Sequence, residues 1–412
     1  MTSETGSSDE LSDGGVGVLA AVVAVTVANG YYVQPLLLQI GAAADLSAGL
    51  VSLLPALTQV GLGIGLITLL PLADSLTARR LLIATLPLQV TALLAVAMSG
   101  SAVPLMAGCL AIGLFGVTPY VLPPYASLRV GGARLGAVTG LLTRGVICGI
   151  LLARVVAGLV ADWFGWRAVY ALAAAATAGA LGVVAVVVRP QGSIAPTLRY
   201  RHLIASLFSL LRTEPELRVA ALCQALTFAS FNAFWLGSTL YLHARFGWGP
   251  GAIGAVGLIG AASAFGAPVL GRSAQRFGPR RARQVAIAAM LVAWLLFAVL
   301  RESLIGLALA LVVLDLGAVV QDVSSRTILY ARAPQVRTRL NAVYTVSMFA
   351  GGGLSSAAVG ACWTIGGWTG ICWFGGATAA AAAIAAARGV RSAHVPHPSQ
   401  DARRTAVGHP DG

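Results

Sequence analysis

The 412-residue chain contains no lysine and only 14 acidic residues. Charged side chains make up 10% of it, against about 25% in an ordinary soluble domain. So few charges cannot cover a water-facing globule, and a soluble fold is excluded. Histidines, cysteines and acids never fall at metal-ligand spacing, so no metal or other cofactor is expected. No glycine-rich phosphate loop occurs, which argues against direct use of ATP, and no nucleophile stands beside a base, which argues against an enzyme. The five cysteines (Cys109, Cys148, Cys223, Cys362 and Cys372) lie within or at the ends of apolar segments, where thiols pack as small apolar groups.

What fills the chain instead is apolar: 58% of residues are hydrophobic and mean hydropathy is +0.84. A membrane-spanning helix needs about 20 apolar residues. Twelve such runs are present, near 15–38, 48–70, 80–99, 103–127, 136–161, 165–188, 218–242, 248–270, 282–300, 302–326, 340–364 and 367–388. The start MTSETGSSDELSDG is acidic, where a secretory signal has a basic start, so the first run is expected to be a retained span. The expected organisation is a disordered N-terminus (1–14), a six-span bundle (15–188), a linker (189–217), a second six-span bundle (218–388) and a disordered tail (389–412). The linker's HLIASLFSLL has the character of a segment lying at the membrane interface.

All basic residues are arginine, and the formal charge is +13. In a chain of many spans this reads as topology signalling beside anionic lipid, with no nucleic-acid partner. Placing both termini in the cytoplasm puts twenty-one arginines on inner segments and three, Arg167, Arg245 and Arg301, on outer ones. The halves also echo each other. ADSLTARR after the second run returns as AQRFGPRR after the eighth, 201 positions on, and ARLGAVTG returns as TRLNAVYT. A duplicated six-helix unit enclosing a midplane cavity is an architecture of secondary transporters.

These motifs resemble the major facilitator superfamily. Its signature after the second helix is matched in part by Asp74, Arg79 and Arg80, and its second copy by Arg276, Gly278 and Arg280, with Gln275 in place of the acid. The resemblance implies twelve helices in two pseudo-symmetric bundles. It gives these residues the role of a cytoplasmic gate, with Asp74 its acid. The fifth run is similar to the family's antiporter motif at Gly140, Gly149, Ala153, Ala157 and Gly158, but Arg154 replaces its proline. The phrases ANGYYVQPLL, FNAFWLGSTLYL and LDLGAVVQDVSSRTILYARAPQVRTRLNAVY resemble bacterial drug and metabolite efflux members. The expected function is proton-coupled export of a small amphipathic drug or metabolite across the plasma (inner) membrane, by a monomer. Import or facilitated diffusion on the same fold is the alternative, and a non-transporting sensor a more distant one.

In this family the first helix of each three-helix unit lines the cavity, which accounts for polar side chains at membrane depth. Candidate substrate contacts are Asn29, Tyr31, Tyr32, Gln34, Tyr120, Phe228, Asn232 and Trp235. On a continuous helix Asn29 and Tyr32 share one face and Tyr31 and Gln34 the opposite one, so only one pair points into the cavity. Intramembrane charges are Arg144, Arg154, Asp315 and Asp322, with Arg326 at the inner edge. A charge at the bilayer centre costs about 2.5–3.5 kcal/mol on insertion scales. Asp315 is the acid clearly near mid-depth and the expected proton carrier, with Arg144 as a partner. Asp322 and Arg326, four residues apart, are expected to pair with each other.

The arginine asymmetry predicts that, in a background lacking native cysteines, an impermeant thiol reagent added outside labels a cysteine at position 245 and spares positions 201 and 281. Outside labelling at 201 would invert the topology.

Overall fold

The computed structural model describes residues 11–74, 76–190, 200–260, 278–331 and 337–392. Of the expected disordered ends, residues 1–10 and 393–412 lie outside the described residues, while Asp13, Gly14 and residues 389–392 are helical; Arg276 and the second part of the eighth span also lie outside. Among the described residues ten helices are long and apolar enough to cross a membrane. The last of them is broken at Gly367 (φ 54°, ψ −140°) into the eleventh and twelfth spans. The eighth begins at Pro250. The molecule is all-α, with twelve spans in two pseudo-symmetric six-helix bundles.

The first span is α1 (Asp13–Ala28) followed by α2 (Val33–Ala43). The second is α3 (Ala48–Thr68), which runs into a 3-10 turn, Leu70–Asp74. The third is α4 (Ala78–Met98); the fourth is α5 (Ala102–Leu114) with α6 (Thr118–Ser127). The fifth and sixth are α7 (Gly132–Phe164) and α8 (Trp166–Val187). A linker helix, α9 (Tyr200–Thr213), precedes α10 (Pro215–Phe246), the seventh span, and α11 (Pro250–Ala255), the start of the eighth. Then come α12 (Pro279–Val299), α13 (Leu304–Tyr330) and the broken α14 (Arg337–Ser392).

Short polar caps start several of these helices. Ser12, Ser47, Thr77 and Ser303 accept from the backbone N–H three residues on, at 3.1, 3.4, 3.3 and 3.1 Å. Each bond satisfies one of the backbone N–H groups that the first turn of a helix leaves unpaired.

The sequence places the first span at 15–38, with Pro35 where a bend could form; the helix is interrupted at Asn29–Tyr32. Pro35 explains why. It has no N–H for the carbonyl of Tyr31, and its ring crowds that oxygen. The turn tightens instead: Tyr31 N bonds Ala28 O at 2.9 Å, and Gln34 N takes Tyr31 O at 3.2 Å. Pro119 acts likewise in the fourth span, where Tyr120 N bonds Val117 O at 2.9 Å. Both breaks fall in spans expected to line the cavity.

The linker helix α9 turns Leu207, Leu210 and Leu211 against Leu217, Leu329, Leu340 and Tyr344. Its apolar side thus packs on the second bundle, where the sequence alone pointed to the membrane interface. Arg283, counted among the inner-connector arginines, lies inside α12 and is 1% exposed.

Glycines let the spans approach closely. A Cβ on Gly113 would lie 2.0 Å from Thr58 O, and one on Gly61 2.1 Å from Leu110 O, so α3 and α5 meet backbone to backbone. Gly149 does the same against Ala24 O at 2.4 Å. Gly140, singled out from the sequence for the same role, faces open space. Gly113→Val should therefore destabilise the purified protein by about 1–3 kcal/mol, read as a lowered Tm, while Gly140→Val leaves Tm nearly unchanged. Equal Tm values would remove the seam's assigned importance.

The bundles also meet at the end away from the termini. Asp162 Oδ2, near the end of α7, accepts from Gly251 N at 3.1 Å, capping the start of α11. Beside it a Cβ on Gly158 would lie 2.3 Å from Pro250 O. A helix N-terminus attracts a carboxylate, and losing such a cap costs about 1 kcal/mol. Asp162→Ala should thus raise the population open at this end about fivefold. Spin labels at 163 and 243, both exposed, would show it as growth of a longer distance; an unchanged distribution would deny Asp162 a part in closure.

Candidate functional site

The tightened turn in the first span fixes which polar residues turn inward. Asn29 donates to Thr177 Oγ1 of α8 at 3.0 Å and is 3% exposed. Tyr32 packs in the core of the first bundle with Tyr170 and Trp166. Both were candidate substrate contacts, and both prove to be internal to that bundle. Tyr31 and Gln34 point the other way, to the junction.

At that junction Arg154 of α7 donates from Nε to Gln34 Oε1 at 2.9 Å. Its guanidinium lies 3.8 Å from the Trp235 ring centre and 5.4 Å from that of Tyr31. Gln34 Nε2 reaches Asn232 Oδ1 at 3.5 Å. Asn232 in turn donates to Ser356 Oγ at 2.8 Å and Gly352 O at 3.1 Å in the eleventh span. Thr239 Oγ1 donates to Gln34 O at 3.2 Å. A chain of polar contacts thus crosses from α7 through α2 and α10 to α14, and so from one bundle to the other.

Asp315 of α13 completes the group. A Cβ built on Gly260 would lie 3.0 Å from Asp315 Oδ2 and 3.3 Å from Trp235 Cζ2, so carboxylate and indole flank the same backbone. Asp315 and Arg154 interact electrostatically without a hydrogen bond between them. They are 6% and 3% exposed. Arg144, the expected partner of Asp315, is exposed and lines a separate pocket with Thr139, Thr143 and Ile147. The charge facing Asp315 is Arg154, ten residues and nearly three helical turns further along.

From this cluster a strip of rings runs towards the termini. Trp235, Phe231 and Phe228 follow one another along α10 with centroids 6.2 and 5.9 Å apart. Phe228 and Tyr120 each meet Phe349 edge-on at 6.1 Å. Tyr31, Tyr120 and Phe349 line a narrow cleft with Gln59 and Gln89. Phe231 could have been found from its spacing with Phe228 and Trp235 on one helix face. Phe349, Gln59 and Gln89 stand in spans with no other cavity signal, and only the packed structure reveals them.

Asp322 and Arg326 form an ion pair at 2.9 Å. Tyr344 donates to Asp322 Oδ1 at 3.0 Å and to Gln224 Oε1 at 2.6 Å, and Arg326 also bonds Asn341. This network ties the seventh, tenth and eleventh spans within the second bundle. Of the candidate gate residues, Asp74 ends the 3-10 turn after α3. Arg79 donates to Ala185 O at 2.9 Å, Arg80 is exposed, and Arg280 pairs with Glu216. Those contacts of Arg79 and Arg280 stay within their own bundles. Gly278 adopts φ 88° at the start of α12, a conformation glycine holds without strain.

The comparisons with known proteins agree with this architecture. The uncharacterized transporter YgaY of Escherichia coli O157:H7 is 33% identical over 370 residues, covering 89% of this chain and 93% of that one. A protein of Streptomyces coelicolor (strain ATCC BAA-471 / A3(2) / M145) named "Probable transporter SCO4007" is 32% identical over 365 residues, covering 87% and 84%. The nucleoside transporter NupG superposes with a TM-score of 0.75 at 12% identity, over 91% of this chain and 98% of that one. The POT family transporter PepTSo also gives 0.75, at 13% identity, over 93% and 98%. A model described as Major Facilitator Superfamily matches residues 19–334 and again residues 220–409. With twelve spans in two bundles and a polar cluster where they meet, the chain belongs to the major facilitator superfamily.

Proposed function

We propose that this membrane transporter is a proton-coupled exporter of a small amphipathic organic solute. It works by alternating access in the plasma (inner) membrane with both termini cytoplasmic. The observation that carries the coupling is the unfinished pairing of Asp315 and Arg154. Two opposite charges, each more than nine-tenths buried, face one another across the junction without a hydrogen bond between them. A carboxylate so placed can take up a proton in one state and lean on the cation in another, which is the property coupling requires. The direction of export rests on the sequence resemblance to efflux members. The end away from the termini, which this reading makes the outer one, is closed by the Asp162 cap. Asp74 acts in the opposite state, latching the inner end while the outer end is open.

The test is transport in proteoliposomes with an imposed pH gradient. Asp315→Asn keeps size and much hydrogen-bonding capacity but removes the titratable proton. The variant should still exchange labelled substrate across the membrane while losing uphill accumulation. Accumulation against the gradient with unchanged pH dependence would remove Asp315 from coupling. Wild-type transport that ignores the pH gradient would make the protein a facilitator.

A further inference from the structure

Among the described residues, three buried polar atoms at the bundle junction have no hydrogen-bond partner: Arg154 Nη2, Trp235 Nε1 and Asp315 Oδ1. Their residues are 3%, 4% and 6% exposed. Folded chains leave few such atoms unpaired, because each costs about 1–3 kcal/mol and more when charged. Here they come from α7, α10 and α13, and so from both bundles: Asp315 and Trp235 flank Gly260, while Arg154 lies over the Trp235 ring and against Gly257, one turn earlier. A shared deficit in one place is what a binding site looks like before its ligand arrives.

The chemistry of the atoms defines the ligand. Guanidinium and indole N–H groups donate and cannot accept. Two donors, one of them permanently charged, call for a group with several acceptor lone pairs and a negative charge. Gln34 already occupies Arg154 Nε, which leaves Nη2 for a visitor. Arg326 is held by Asp322 and Arg144 is exposed, so among the described residues Arg154 is the buried cation at this cluster. A dianion such as a phosphate monoester would leave a charge uncompensated. An amine would satisfy Asp315 but bring a second cation beside Arg154. The surrounding walls, Tyr31, Phe231, Phe228 and Phe349, are rings suited to an apolar or aromatic body.

We propose that Arg154 and Trp235 bind the carboxylate of a small monoanionic organic acid whose apolar body lies along the aromatic strip. This rests on the transport reading of the same cluster and narrows its substrate class. Arg154 and the bound carboxylate then neutralise each other.

Isothermal titration calorimetry on the purified full chain, with no pH gradient, tests this. The probes are 3-phenylpropionate, its neutral amide and 3-phenylpropylamine, with benzoate and octanoate as further carboxylates. At least one carboxylate should bind, and 3-phenylpropionate should bind about tenfold or more tighter than its amide, with the amine weakest. Trp235→Phe keeps a ring over Arg154 and deletes the N–H. It should weaken carboxylate binding about fivefold or more and leave amide binding unchanged. Arg154→Gln should erase the preference for carboxylate over amide, with each variant's fold checked by its Tm and elution profile. Equal binding of acid and amide, preference for the amine, or no binding by any of the three carboxylates would overturn the proposal. A protein that binds the acid but ignores a pH gradient loses the coupling reading and keeps this one. A protein that couples protons to a neutral or cationic solute does the reverse.

Discussion

Arg154 carries a permanent positive charge to a depth where neither water nor lipid headgroups reach it. Such a group persists only if its surroundings supply compensation, and several otherwise unrelated features of the chain do so. The kink at Asn29–Tyr32 turns Gln34 towards the guanidinium, and the Trp235 and Tyr31 rings face it at 3.8 and 5.4 Å. The start of the eighth span comes close because Gly254 and Gly257 lie against the Arg154 backbone and side chain; a Cβ on Gly254 would be 2.4 Å from Arg154 O. These contacts come from both bundles, so the cation is satisfied only as well as the bundles are apposed.

That dependence links the centre of the molecule to its closed end. Two turns beyond Arg154 on α7, Asp162 caps the helix that supplies Gly254 and Gly257. Withdrawing α11 would remove the cap on its own N-terminus and the close packing around Arg154 together. Conversely, a change in what Arg154 holds bears directly on the backbone at the interface. In the proposed cycle this is how occupancy reaches the closure without a long relay, since site and seam share one helix face.

Much of the architecture was legible in the sequence because lipid enforces it. Backbone polar groups must be satisfied within each helix, so apolar runs read as spans and the break near Gly367 as a connector. Asp315 was legible too, because an acid in the middle of an apolar run has few explanations. The orientation of the first span was only half legible. A wheel at 100° per residue separates Tyr31 and Gln34 from Asn29 and Tyr32, but it cannot say which pair faces the other bundle. It also assumes a continuous helix, which Pro35 prevents. The partner of Asp315 was misread for a different reason. Arg144 and Arg154 sit on the same span with similar neighbours in sequence, and depth alone does not distinguish them. What separates them is the approach of α11 and α10, contacts made across about 80 to 100 positions of chain and invisible to any local pattern.

The incompleteness of the cluster carries the functional argument furthest. A fully bonded Arg154–Asp315 pair would lock the bundles in one arrangement, since separating two buried charges without replacement is costly. A fully apolar junction would have nothing for a proton or an anion to change. The observed arrangement lies between these. Gln34, Asn232, Ser356 and Thr239 hold the frame in place through 2.8–3.5 Å contacts, while one guanidinium nitrogen, the indole N–H and one carboxylate oxygen stay unused. An alternating-access transporter needs a site whose own bonds do not suffice, so that a passenger or a proton supplies the difference. Here the deficit sits where the two bundles meet, which makes the state of the site and the apposition of the bundles a single physical variable.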